Sequence, residues 1–208
     1  MNAAVRADSP LRLFVALPVP DAVREALCGV QQEFRAATRH HSGLAWTAPA
    51  NLHLTLRFLG PVVAEYLPGL TVALEQAVTE LPVLNLRCAG LGAFPSPERP
   101  RILWAGVTAD GPGWGPLVDA VNGAVKPFAE TPPEPEFTGH ITLARIKRWD
   151  RALSATLART IATQTARSFG GWRAEAVELV RSELLPGGSR YTTLTRCPLR
   201  RLAHEPGV

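Results

Sequence analysis

Apolar positions along the chain alternate between short unbroken runs and helical spacing. "RLFVALPV" (Arg12 to Val19) is a run ended by Pro18 and Pro20, which predicts a buried strand. Asp21 is placed to cap the helix that follows, where Val23, Leu27, Val30 and Phe34 recur at helical intervals, and "RHHSGLAW" reads as a loop. A second amphipathic stretch, Ala64 to Leu81, carries Leu67, Leu70, Leu74 and Val78 and stops at Pro82. Two strand-like runs, "LNLRCAGL" and "RILWAGV", flank the Pro-rich loop "FPSPERPR". "WGPLVDAVNGAVKPF" predicts a third helix, "AETPPEPEF" a loop, and Asp150 to Thr165 a fourth helix. "AEAVELVRSEL" and "SRYTTLTRCPL" around "PGGS" predict a hairpin.

Between these elements lie two strands with one shared pattern. In "NLHLTLRFLG" (Asn51 to Gly60), strand alternation puts His53, Thr55 and Arg57 on one face and Leu52, Leu54, Leu56 and Phe58 on the other. "GHITLARIK" (Gly139 to Lys147) places His140 and Thr142 together in the same way, opposite Ile141 and Leu143. Strands interleaved with helices twice over, with a His-x-Thr strand in each half, predict an α+β, bilobal, pseudo-duplicated body with two largely antiparallel sheets flanked by helices. Residues 12–199 read as one domain of two interleaved lobes between tails at 1–11 and 200–208.

A lone His-x-Thr is commonly a surface pair or a satisfied core pair, but two copies in matching strands point to a site. Two imidazoles and two hydroxyls facing one space suit displacement at phosphorus. One His takes a proton from the attacking oxygen and the other protonates the leaving one, since an ordinary pKa of about 6.5 lets both forms coexist near neutrality. Hydroxyls can hold the non-bridging oxygens as charge builds. The scheme needs no metal, and two His with no adjacent carboxylate or Cys are too few for a catalytic zinc, which takes about three protein ligands. His40 and His41 fall in a helix end or loop, and His204 in the tail.

Composition adds a hint of an anionic partner. The 208 residues are 46% hydrophobic, enough for a substantial core, and the formal charge is +4. Arginine supplies it, since Lys126 and Lys147 are the only lysines, and Arg suits phosphate contacts; a biased genomic composition would give the same excess. Cys28, Cys88 and Cys197 are odd in number and widely spaced, so they read as reduced, mostly buried thiols. No secretory signal or membrane span is legible, and the expected location is the cytoplasm. Nothing marks an obligate interface, so a monomer is expected.

The ordered set "RLFVALPVP", "HLTLRFLG", "GLGAFPSPERPRILWAGV", "HITLARIK" and "SELLPGGSRYTTL" resembles the RNA 2',3'-cyclic phosphodiesterases, also called 2'-5' RNA ligases, of the 2H phosphoesterase superfamily. The resemblance runs from about Arg12 to Leu199. It implies a cleft between the lobes with both His-x-Thr strands on its floor, His53 as proton donor to the departing 3'-oxygen and His140 as the base that activates water. Thr55 and Thr142 would hold phosphate oxygens, no cofactor would be used, and the product would be a 2'-phosphomonoester. Reaction with a 5'-hydroxyl in place of water would give a 2'-5' linkage. The implied partner is an RNA with a 2',3'-cyclic phosphate end or a small cyclic nucleotide. Another cyclic nucleotide, a 2'-5' oligonucleotide, or binding of RNA ends without turnover remain the alternative readings.

Four further residues are candidates for substrate contact. The superfamily's second motif often carries an Arg at the position of Arg145, but strict alternation from His140 turns it away, so it reaches the site only if the strand ends, bulges or twists. Arg57 shares the expected face of His53 and either sets the local potential or pairs with an acid. Phe94, in a Pro-rich loop, and Phe14, in a core-like strand, are candidates for stacking on a base. Arg190 and Tyr191 flank the last strand.

Overall fold

The apolar run forms strand β1, Leu11–Pro18, with Leu13 through Leu17 all buried, as expected of a strand covered on both faces. The computed structural model describes residues 9–111, 113–148 and 150–200. The tail expected at 1–11 already belongs to β1 at Leu11, and residues 1–8 lie outside the described residues. At the other end Arg200 is paired rather than loose, its N–H donating to Leu81 O at 2.7 Å and its carbonyl accepting from Val83 at 3.2 Å. The rest of the tail, 201–208, lies outside the described residues.

Helix α1 spans Asp21–Ala37 and buries Val23, Leu27, Val30 and Phe34, the expected stripe, together with Gln31. Asp21 opens the helix instead of capping it. Extended Pro20 holds the cap position, while the Asp21 carboxylate sits in the first turn beside the helix's positive end and pairs with Arg24. The stretch from Ala64 begins as a single 3-10 turn, Ala64–Tyr66, and becomes helix α2 only at Leu67–Val78, because Pro68 is tolerated in a first turn but not inside a helix. Helices α3, Gly115–Val125, and α4, Arg151–Ala162, follow the expected pattern, and Asp150 caps α4 by accepting from the Leu153 N–H at 2.7 Å.

The remaining strands are β2 Leu44–Trp46, β3 His53–Val62, β4 Leu84–Phe94, β5 Ile102–Ala109, β6 His140–Ile146, β7 Ser168–Ala174, β8 Ala176–Leu185 and β9 Gly188–Pro198. Every pairing among them is antiparallel. Where two sheets were expected, the strands form one hydrogen-bonded path, β7-β4-β5-β6-β3-β1-β8-β9, with β2 added to β6. The path is joined at its middle, between β3 and β6, by the single register pair Leu54↔Ile141. Helices α1 and α4 pack on the β4 and β7 end, while α2 and α3 pack on β9 and β3. One core cluster runs through both halves.

The three cysteines are free, as expected, with Cys88 and Cys197 buried; burial pushes the Cys88 thiol up to about 12. Among the described residues no helix is long and apolar enough to cross a membrane.

Candidate active site

Because Leu54 lies opposite Ile141 in neighbouring antiparallel strands, their flanking residues come together: His53 and Thr55 on one side, His140 and Thr142 on the other. All four line one cleft of about 380 Å³. Both imidazoles are oriented in the same way. His53 Nδ1 donates to the Asn51 carbonyl at 2.7 Å and His140 Nδ1 to the Thr138 carbonyl at 2.7 Å. A carbonyl oxygen can only accept, so Nδ1 carries the hydrogen and Nε2 of each neutral ring is the lone-pair nitrogen. Thr55 Oγ1 lies 2.9 Å from His53 Nε2 and donates to it in that state.

Aromatic rings pack beside each histidine. Phe14 lies 4.8 Å from the His53 ring and Tyr191 meets it edge-on at 5.1 Å. Phe94 meets His140 edge-on at 5.1 Å, with Trp104 behind at 6.5 Å. Burial holds the His53 imidazolium below its ordinary range; the Asn51 carbonyl opposes that effect, and the positive charges of Arg145 and His140 add to it.

Arg145 reaches the cleft, and the reason is a β-bulge. In the β5–β6 ladder Leu103 faces Ala144 and Trp104 faces Thr142, which leaves Leu143 unopposed. That extra residue returns Arg145 to the face of His140 and Thr142, where it is exposed and lines the cleft. The first strand bulges at the corresponding place. Val15 faces Arg57 and Ala16 faces Thr55, so Leu56 is the extra residue. Arg57 therefore leaves the face of His53, contrary to strict alternation, and Phe58 takes its place in the cleft, 46% exposed. Buried Arg57 instead donates to the carbonyls of Thr131 and Pro132 and so ties down the Pro-rich loop after α3.

Phe14 is also corrected: at 2% exposure it is closed to a base and serves as packing behind His53. Phe94 and Tyr191 do line the cleft, whereas Arg190 pairs with Glu183 on the β8–β9 hairpin. Several cleft residues escaped sequence reasoning, four of them with a clear part in shaping the site. Glu134 and Glu136 come from the Pro-rich loop, where alternation of Glu with Pro was the available signal of carboxylates held in one exposed segment. Phe58 was hidden by the bulge. Asn51 supplies the carbonyl that orients His53, while its side chain donates to Ser189 O at 2.6 Å and fastens the hairpin to the site.

Comparison with known proteins agrees with this constellation. The family model described as LigT like phosphoesterase matches residues 17–104. An Archaeoglobus fulgidus protein named RNA 2',3'-cyclic phosphodiesterase is 33% identical over 184 residues, 88% of this chain and 98% of its own. A Thermus thermophilus protein of the same name is 34% identical over 197 residues, 91% of each chain. Among solved structures, one from Thermus thermophilus superposes with a TM-score of 0.74 at 31% identity, covering 92% of this chain and 99% of its own. Escherichia coli LigT complexed with 3'-AMP gives a TM-score of 0.68 at 26% identity, covering 91% and 98%. Identity of one residue in three along nearly the full length of both chains, on a shared fold, makes this chain a member of the LigT-like phosphoesterases, a family of enzymes.

Proposed function

We propose that the protein hydrolyses the 2',3'-cyclic phosphate at RNA 3' ends to a 2'-phosphomonoester. One observation carries the reading: two histidines on adjacent strands, each fixed through Nδ1 and each beside a threonine, face a single cleft in a chain whose relatives bear that activity in their names. Substrate binds with its phosphate between the two imidazoles. His140 accepts a proton from water through Nε2 as the water oxygen bonds to phosphorus. Protonated His53 gives its Nε2 hydrogen to the 3'-oxygen as the P–O3' bond breaks. Thr55 and Thr142 donate to the non-bridging oxygens, and Arg145 offsets their charge.

No step passes through a metal. With a 5'-hydroxyl in place of water, the same groups form a 2'-5' diester, and bulk water favours hydrolysis. Free thiols and an RNA-end substrate suit a cytoplasmic location.

The test is incubation of the protein with a short RNA ending in a 2',3'-cyclic phosphate, in EDTA, followed by phosphorus NMR. A 2'-phosphate forms with wild type, and His53→Ala and His140→Ala each slow the reaction by about 10²- to 10⁴-fold. A 3'-phosphate product would overturn the leaving-group assignment; intact RNA with wild type would overturn the hydrolase reading.

A further inference from the structure

A second and larger cavity, about 570 Å³, opens beside the catalytic cleft and shares Phe58, Arg145 and Tyr191 with it. Strands β1, β3, β6, β8 and β9 all contribute to its wall, which carries Arg12 from β1 and Lys147 just past the end of β6. Arg12, Arg145 and Lys147 are exposed, and none has an ion-pair partner among the described residues. No acidic residue lines the cavity. Nearby Glu183, on the same hairpin, is already engaged by Arg181 and Arg190. The tip of the hairpin adds Leu184, 66% exposed, to the cavity wall.

The catalytic cleft also carries two carboxylates, Glu134 and Glu136, which the basic cavity lacks. A cyclic mononucleotide is small enough for the cleft alone and meets only Arg145 of the basic cavity's cations, not Arg12 or Lys147. A longer strand must leave the cleft somewhere, and its phosphates avoid the carboxylates and favour unpaired cations. Such a groove, with cations along the backbone path and apolar or aromatic surface beside it, has the makings of a single-stranded nucleic acid channel, and its volume suits a nucleotide-sized group.

We infer that this cavity holds the phosphodiester chain immediately 5' to the cyclic end, entering past Arg145 and crossing Arg12 and Lys147, so that the enzyme's substrate is an oligonucleotide and not a mononucleotide. The inference rests on the phosphodiesterase reading. It also gives the RNA a direction, with the terminal nucleoside in the catalytic cleft and the body of the strand along Arg12 and Lys147.

The experiment compares kcat/KM for adenosine 2',3'-cyclic phosphate and for a tetranucleotide ending in the same group, with wild type and with Arg12→Ala combined with Lys147→Ala. Anisotropy with a labelled tetranucleotide ending in a 2'-phosphate measures binding independently of turnover. Wild type prefers the tetranucleotide, and the double variant loses about tenfold on it in both rate and binding, with a shallower salt dependence, while the mononucleotide rate is unchanged. Equal wild-type rates for the two substrates, or a double variant that slows both alike or binds the tetranucleotide as wild type does, would overturn the groove. Turnover of neither substrate would instead overturn the phosphodiesterase reading, and anisotropy alone would then decide the groove.

Discussion

His53 is held in a state poised for binding. Its ring packs in a cluster with Phe14 and Tyr191, its Nδ1 is committed to the Asn51 carbonyl, and burial with Arg145 nearby disfavours a second proton. In the free protein it is therefore neutral around pH 7 and accepts from Thr55. A bound phosphate reverses the balance, since an anion stabilises the imidazolium, frees the Thr55 hydroxyl for a phosphate oxygen and loads the proton that the 3'-oxygen requires. Binding and protonation are thus linked. An NMR titration of His53 in the free protein should give a midpoint below the ordinary value of about 6.5, and inorganic phosphate should raise it. A midpoint that phosphate leaves in place would refute the linkage. Stability carries the same sign. The unfolded chain binds this proton at a higher pH than the folded one, so folding loses stability as pH falls from about 6.5 toward the depressed midpoint.

Two bulges, at Leu56 and Leu143, decide which side chains enter the cleft, and the second is held by a distant residue. The bulged Leu143 carbonyl accepts from Gln31 Nε2 at 2.9 Å and from the Thr47 N–H at 2.9 Å, and Gln31 also donates to Thr47 O at 2.9 Å. Helix α1 thereby adds a second, buried donor to the bulged carbonyl and ties it to Thr47. Gln31→Leu should cost about 1–3 kcal/mol in thermal unfolding, since two carbonyls lose a buried donor; an unchanged melting midpoint would show that the bulge supports itself. Little of this is legible in the sequence. The pattern His-x-Thr at period two fixes His53, Thr55, His140 and Thr142, because a bulge further along cannot disturb them. Beyond Leu56 and Leu143 the alternation slips by one residue, so Arg57 and Phe58 exchange faces and Arg145 returns to the cleft. Strand β7 was missed because Gly170 and Gly171 break the apolar alternation, and β2 because three residues carry no period.

At the scale of the whole molecule, the strand order places one histidine from each half of the path beside the single pair that joins the halves. Leu54 separates His53 from Thr55, Ile141 separates His140 from Thr142, and both apolar side chains are fully buried beneath the cleft floor. Packing at this junction therefore sets the distance between the acid and the base. Core packing elsewhere sets only stability. Leu54→Ala and Leu74→Ala remove the same side chain from sites of equal burial, and each should cost about 2–5 kcal/mol. They should differ in catalysis. Well below both melting temperatures, Leu74→Ala, in helix α2, should keep its kcat on a cyclic mononucleotide, while Leu54→Ala should lose on the order of 10²-fold, because displacing reacting groups by about 1 Å is enough for that. Equal kcat values for the two variants would mean that the histidines are positioned by their Nδ1 carbonyls and ring contacts alone, and that the junction pair does no more than hold the halves together.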